Sequence, residues 1–307
     1  MKRSSEIIYF GFAPSDIANN INPQYRLPEK LISLNETANK NSVGYELELE
    51  DNFEEVPVID ERPVFLGVHQ PSSNVDVLDY WQKEQSLEKI KRTMAMAHKL
   101  NADYFTVHLQ TVDRWDDLSN RADANRLSLE VFKHLTQFYS KQNFQYKMYV
   151  ENLEYPKYPA TTEEISEVID FLSKNIDVPT GVLLDVGHLW RTRNIMSENN
   201  FHHEGGDLPF TEYLQNTLNV IGDGVQAMHL TGCGGYKTHL LPQLESEAPN
   251  DRQAYPDEYF FRKIARIVLK FGLGKGTVEE PFTFVNEAFG YPYEEVIENC
   301  KGIANII

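Results

Sequence analysis

The feature of this sequence that most constrains its fold is a regular alternation of short apolar runs, rich in β-branched and aromatic residues, with longer segments of helical period. Such an alternation predicts repeated strand–helix units, which build a parallel sheet. The predicted strands are 7–13, 43–49, 64–70, 104–110, 146–152, 181–188, 225–231 and 276–282. The predicted helices are 27–39, 87–100, 122–142, 161–174, 210–220, 259–271 and 293–306.

Eight strands and the lack of any dividing linker favour one closed barrel. No Ser/Gly/Pro-rich segment interrupts the chain, and the glycine signatures of dinucleotide and P-loop sites are both missing. The acidic segment 51–62 is too short for a full helix, so we expect a loop or a single turn there. The glycine-rich segment 272–276 is predicted to end a helix and turn into a strand. We therefore predict an α/β fold, a single (β/α)8 TIM barrel domain spanning residues 1–307.

Charge and cysteine content exclude several classes of protein. The 46 acidic residues outnumber the 29 basic ones, giving a net charge of −17, which argues against a nucleic-acid partner. Cys233 and Cys300 cannot form a disulfide framework, and this favours a reducing compartment. No run of 18 apolar residues is present, so no membrane-spanning helix is expected. These observations predict a cytoplasmic protein without a nucleic-acid or membrane partner, and they leave open whether it forms a homo-oligomer.

Histidines and carboxylates stand in the last residues of six consecutive predicted strands. They are His69, His108, Glu151, Asp185 with His188, His229 and Glu280. Each taken alone fits a structural role, but the carboxyl ends of barrel strands form one rim, where active sites are built. Charged groups in such a dry place are costly unless they are paired or bind a metal. The mixed nitrogen and oxygen donors predict a divalent cation: Zn, Mn, Fe or Co.

Four short motifs in the second half of the chain carry a family resemblance. They are Val150-Glu151-Asn152, Asp185-Val186-Gly187-His188, Met228-His229-Leu230-Thr231-Gly232 and Glu280-Pro281-Phe282. In their order and spacing, residues 146–282 resemble the xylose-isomerase-like barrel superfamily, which includes ketose 3-epimerases and the endonuclease IV type of abasic-site nuclease. The resemblance to the epimerases implies that Glu151, Asp185, His229 and Glu280 bind a metal.

Further histidines are similar to those of the nuclease branch. His69, His108 and His188 match its histidines in order, and His239 matches a later one. Lys237 stands where that branch has an Asp, and the net charge of −17 disfavours abasic DNA as substrate. A multinuclear iron branch has Asn residues where this chain has Gly187-His188.

The resemblance implies a divalent-metal-dependent isomerase or epimerase that acts on a small sugar-like carbonyl compound through an enediolate. Glu151 and Glu280 would be the base and acid, with the second carboxylate raising the pKa of the first, and His188 would hold a substrate oxygen. His69, His108 and His239 would bind either substrate or further metal. The alternative is a hydrolase or oxidative enzyme with a multinuclear Zn or Fe centre, and a barrel that only binds a ligand is a third reading.

Overall fold

A closed barrel of eight parallel strands is the framework of the protein. The computed structural model describes residues 8–12, 43–48, 65–70, 84–109, 121–198, 205–230, 258–276 and 282–286. Each strand pairs with its neighbours in chain order, and the last strand pairs with the first. The strands are β1 Ile8–Phe12, β2 Val43–Glu48, β3 Leu66–His69, β4 Tyr104–Val107, β5 Lys147–Glu151, β6 Thr180–Asp185, β7 Val225–His229 and β8 Phe282–Asn286. The predicted (β/α)8 barrel is confirmed.

Six α-helices lie within the described residues. They are α1 Glu84–Lys99, α2 Arg121–Gln142, α3 Thr162–Asn175, α4 Val186–Glu198, α5 Phe210–Ile221 and α6 Glu258–Leu273. Five of them match predicted helices, and α4 was not predicted. The predicted helices 27–39 and 293–306 and the loop 51–62 lie outside the described residues. In the described part of the chain, no helix combines the length and the apolar character that a bilayer crossing requires.

The eighth strand differs from its prediction. It was expected at residues 276–282, but β8 begins at Phe282 and ends at Asn286. Pro281 directly precedes it, and proline is tolerated next to a strand but cannot donate a ladder hydrogen bond within one. Position 280 therefore comes before the strand, whereas the prediction placed it near the strand's end.

The helix α3 illustrates how local sequence sets the elements around the barrel. The Thr161 hydroxyl accepts a hydrogen bond from the Glu164 backbone N–H, and the Glu164 carboxylate accepts one from the Thr161 N–H. This reciprocal capping box satisfies N–H groups that have no partner within the helix. Ile165, Val168 and Leu172 follow at helical spacing and are buried against the barrel wall.

Two apolar layers hold the barrel. The larger one fills the space between the strands and the helices. The smaller one consists of Phe65, Tyr104, Tyr149, Leu183, Ala227 and Val285, one residue from each of six successive strands or their starts, and fills the barrel interior. A Cβ atom at Gly67 would lie 2.3 Å from Cζ of Tyr104, so only glycine leaves room for this ring. The interior layer forms the floor of the site described next.

Candidate metal centre

The carboxyl ends of the strands bring five of the predicted residues together. His69, Glu151, Asp185 and His229 are the last residues of β3, β5, β6 and β7, and His108 directly follows β4. All except His108 are buried, and His108 is partly buried. Parallel strands share one direction, so their last residues meet at one rim of the barrel.

Glu151 lies at the centre of this group and uses both of its oxygens. Its Oε2 atom lies 3.0 Å from Nε2 of His69 and 3.0 Å from Nε2 of His108. Its Oε1 atom lies 3.1 Å from Nδ1 of His229. The carboxylate is 1% exposed, so one buried anion connects imidazoles from three different strands or their ends.

The donor atoms form two sets that fit divalent cations. His69, His108 and Glu151 make one set, and Glu151, Asp185 and His229 make the other, with the ligand atoms of each set within 4.8 Å of one another. Ligands that surround zinc tetrahedrally at about 2.0–2.1 Å are roughly 3.3 Å apart. The spacing of 3.0–3.1 Å among His69, His108 and Glu151 is close to that value. Imidazole and carboxylate donors suit Zn, Mn, Fe and Co.

A backbone carbonyl determines which nitrogen of His69 can bind a cation. Nδ1 of His69 lies 2.5 Å from the carbonyl oxygen of Gln70, which can only accept a hydrogen bond. Nδ1 therefore carries a proton. In the neutral ring the lone pair is then on Nε2, which faces His108 and Glu151.

The pKa values of the central groups respond to burial and to each other. Burial alone would raise the pKa of Glu151, but attraction and hydrogen bonds to His229 and His108 outweigh it and hold the pKa well below its usual value. Burial lowers the pKa of His108, against the opposing pull of Glu151. Glu151 is thus ionised at neutral pH, and Glu280, the second carboxylate that was expected to raise this pKa, lies outside the described residues.

Asp185 has a structural role at the point where β6 becomes α4. Its Oδ1 atom accepts a hydrogen bond of 2.8 Å from the backbone N–H of His188, which is the bond of a helix N-cap. The side chain of Asn152 accepts from the Asp185 N–H and donates to the Asp185 carbonyl. These bonds join the ends of β5 and β6 and give a physical reason for the Asn after Glu151 and for the Asp-x-x-His spacing.

His188 lies in the first turn of α4, although it was predicted at the end of the sixth strand. Its Nε2 atom lies 3.7 Å from Oδ2 of Asp185 and 3.9 Å from Oε1 of Glu151. Its Nδ1 atom lies 2.9 Å from Oε2 of Glu154. Burial alone would lower the pKa of His188, but Asp185 and Glu154 outweigh it and raise the pKa to about 9.

Glu154 is a buried carboxylate in the loop after β5 that the sequence prediction missed. Besides His188, it contacts Lys157 at 2.5 Å and Arg191 at 3.2 Å. Burial would raise the pKa of Glu154, but His188 and Lys157 lower it well below its usual value. Its signal in the sequence was a second acidic residue shortly after Glu151.

Glu46, on β2, is a further buried carboxylate that faces the barrel interior. It is 1% exposed and accepts a hydrogen bond of 2.5 Å from the Tyr104 hydroxyl. Burial and the Glu46 charge raise the pKa of Tyr104 well above its usual value, so this hydroxyl keeps its proton. Both oxygens of Glu46 lie 3.1 Å from Nε2 of His229.

Two predicted site residues, Glu280 and His239, lie outside the described residues. Their roles stay predictions. The bounds of β8 concern Glu280, because this strand starts at Phe282 and its carboxyl end is at Asn286. Glu287 is the next residue in the sequence after that end.

Comparison with known proteins places this barrel in a family. The family model of the xylose isomerase-like TIM barrel matches residues 56–274, which is more than half of the chain. A sequence comparison with curated proteins finds no match.

Solved structures with the same fold have low sequence identity to this chain. A D-tagatose 3-epimerase-like protein is 15% identical, with 97% of this chain and 96% of that one covered and a TM-score of 0.59. A xylose isomerase domain-containing protein from Salmonella typhimurium LT2 is 13% identical, with 100% and 99% covered and a TM-score of 0.59. A D-psicose 3-epimerase is 10% identical, with 97% of each chain covered and a TM-score of 0.54. Such likeness shows the fold, and with the family match it establishes that the chain belongs to the xylose isomerase-like TIM barrel family.

Proposed function

We propose that this protein is a divalent-metal-dependent isomerase or epimerase of a small, sugar-like carbonyl compound. The observation that carries the proposal is the shared Glu151 carboxylate, which is buried at the rim and has imidazoles on both of its oxygens. Glu151, Asp185 and His229 would hold the cation. Two of the solved structures with this fold are named as sugar 3-epimerase or epimerase-like proteins, which supports the same reaction class.

When bound, a divalent cation would polarise adjacent carbonyl and hydroxyl oxygens as a Lewis acid. Glu151 is ionised at neutral pH, so its carboxylate can bind a cation and can also accept a proton. Removal of a proton next to the carbonyl gives an enediolate, and return of a proton from the opposite face or to the neighbouring carbon completes the reaction. Because the proton returns at another face or another carbon, a second proton-transfer group is needed beside Glu151.

The second carboxylate would come from the end of β8. Glu280 was predicted for this role, but it precedes the strand, whereas Glu287 directly follows it. Catalytic residues of such barrels come from the carboxyl ends of strands. We therefore expect Glu287 rather than Glu280 to act opposite Glu151.

His188 would hold a substrate oxygen. Glu154 contacts Nδ1 of its ring, while Nε2 is the atom directed toward Asp185 and Glu151. The His188 ring, fixed in this way next to Glu151 and Asp185, would orient a substrate hydroxyl or carbonyl for proton transfer.

A second candidate function is supported by the set of His69, His108 and Glu151. Two donor sets that share one carboxylate are the arrangement of two-metal centres, which hydrolyse or oxidise their substrates. His239 would extend that centre. This candidate predicts at least two metal ions per chain, whereas the isomerase requires one.

Metal content and turnover together test the proposal. The purified protein would be analysed for bound metal, then stripped, reloaded with Zn, Mn, Fe or Co and assayed on a panel of ketoses by detecting the epimeric or isomeric product. Glu151→Gln should abolish both tight metal binding and turnover, while Glu130→Gln, on the exposed face of α2, should preserve both. Full turnover by Glu151→Gln, or no metal bound by the wild type, would refute the proposal.

A further inference from the structure

The buried carboxylate of Glu46 contacts the ring nitrogen of His229 that does not face Glu151. It lies on β2, and both of its oxygens are 3.1 Å from Nε2 of His229. The other ring nitrogen of His229, Nδ1, is 3.1 Å from Glu151. His229 is thus held between two carboxylates, one in the ligand sets and one outside them.

Glu46 is not itself part of a ligand set among the described residues. The two groups of three donors contain Glu151 with either His69 and His108 or Asp185 and His229, and neither contains Glu46. The neighbouring positions of the barrel interior are mostly apolar, as the layer of Phe65, Tyr104, Tyr149, Leu183, Ala227 and Val285 shows. Burying a carboxylate there is costly unless it is hydrogen-bonded, so its contacts indicate its role.

Those contacts have the chemistry of an outer-shell ligand partner. A carboxylate can only accept hydrogen bonds, so a bond between Glu46 and Nε2 of His229 requires a proton on Nε2. Without a metal, Glu151 accepts from Nδ1 by the same rule. A cation bound beside Glu151 would take the place of that Nδ1 proton, and the Nδ1 lone pair would then be its ligand. Metal-binding histidines commonly donate their other N–H to a carboxylate, which fixes the ring and strengthens the ligand.

Tyr104 fixes Glu46 in turn. Its hydroxyl donates a hydrogen bond of 2.5 Å to Oε2 of Glu46, and its ring stacks on Tyr149 with the centroids 5.1 Å apart. The room for this ring comes from Gly67, where a Cβ atom would overlap it. The chain of contacts therefore runs from a packed ring through a buried carboxylate to a metal-facing imidazole.

We infer that Glu46, held by Tyr104, is a positioning residue that sets the tautomer of His229 so that Nδ1 binds the metal. This inference rests on the proposed metal site. It assigns a role in metal affinity to two residues of β2 and β4 that do not belong to either donor set.

Zinc affinity, measured by competition with a chromophoric chelator, tests the inference. Glu46→Gln keeps the shape of the side chain but removes its charge, and we expect zinc affinity to fall by about 10- to 100-fold. Tyr104→Phe removes the hydroxyl that orients Glu46 and should weaken zinc binding by a smaller factor. Tyr139→Phe is the matched control, because Tyr139 is also buried and donates to a backbone carbonyl, that of Tyr146, in the layer outside the barrel.

The tautomer provides a readout that a purely structural role would not change. In zinc-loaded wild type with ¹⁵N-labelled histidine, the His229 signals, assigned by their loss in His229→Gln, should show a proton on Nε2 and a metal-bound Nδ1. A proton on Nδ1 with metal on Nε2 would overturn the inference.

The affinities separate this inference from the proposal on which it rests. If the wild type binds zinc and both Glu46→Gln and Tyr104→Phe bind it within twofold of the wild type, the inference alone is wrong. If the wild type binds no zinc or other divalent metal, the proposed site fails and the inference fails with it. Should Glu46→Gln not fold, Tyr104→Phe gives the decisive comparison with Tyr139→Phe.

Discussion

Nε2 of His69 lies 3.1 Å from Nε2 of His108, and a single oxygen of Glu151 is 3.0 Å from both. Two N–H groups cannot point at each other across 3.1 Å, so at most one of these two nitrogens has a proton directed at the other. A cation between them would take up both lone pairs. A second metal ion would therefore need this pair of residues as its ligands.

The first prediction concerns the number of metal ions. If the protein is a one-metal isomerase, the double variant His69→Gln, His108→Gln should keep one tightly bound ion per chain, as the wild type does, because Glu151, Asp185 and His229 are unchanged. Elemental analysis and calorimetric titration measure this, with His134→Gln on the exposed face of α2 as control. Two ions in the wild type and one in the double variant would instead support the two-metal candidate.

The second prediction separates the two roles of Asp185. Asparagine can still cap α4 through its side-chain oxygen, whereas alanine cannot, so metal-free Asp185→Ala should be less stable than Asp185→Asn by about 1 kcal/mol. Both variants should bind metal more weakly than the wild type, because each lacks the carboxylate. Urea unfolding of the chelator-treated proteins gives the stability difference. Equal stabilities would show that the cap contributes nothing to the fold.

The third prediction concerns the end of β8. Glu287→Gln should reduce turnover by about 10²- to 10⁴-fold, the usual contribution of an acid–base group. Glu280→Gln, which changes the same type of residue before the strand, should remain within a few-fold of the wild type. Steady-state kinetics on the substrate found in the ketose screen would compare the two. The opposite ranking would restore Glu280 as the eighth-strand residue.

The fourth prediction is a pH dependence of stability in the metal-free protein. Because the pKa of His188 is raised to about 9 in the fold, its protonated ring stabilises the folded state fully below its unfolded pKa of about 6.5. That contribution is lost as the pH rises from 6.5 through 9. His108, Glu151 and Glu154 have lowered pKa values, so their contributions to stability change with pH below 6.5.

The unfolding free energy should therefore fall between pH 6.5 and pH 9. In Glu154→Gln, the fall should be smaller because one of the carboxylates that holds the His188 proton is neutral. Denaturant titrations at several pH values test this, with Glu130→Gln as control. An unchanged slope in Glu154→Gln would mean that Glu154 does not stabilise the His188 charge.

Much of the barrel was predictable because strands and helices leave local periods in the sequence. The first seven strands were found within a few residues, and the ends of β3, β5, β6 and β7 carried His69, Glu151, Asp185 and His229 as expected. The eighth strand was misplaced because the predicted run 276–282 was extended across Pro281, a residue that cannot donate a ladder hydrogen bond within a strand. His188 was assigned to a strand because the predicted run 181–188 was extended past Asp185, whose capping bond to the His188 N–H starts α4.

By itself, the sequence determined which residue types stand at the strand ends, and hence that imidazoles and carboxylates gather at one rim. Only the tertiary structure decided how they are shared: that Glu151 serves three histidines, that Glu154 holds His188, and that Glu46 contacts His229. Glu46 and His229 are 183 positions apart in the chain. The periodicity of a sequence is a local property and does not report contacts between residues so far apart. Barrel closure brings side chains of distant strands into one dry interior, where a buried charge is costly unless it has a partner.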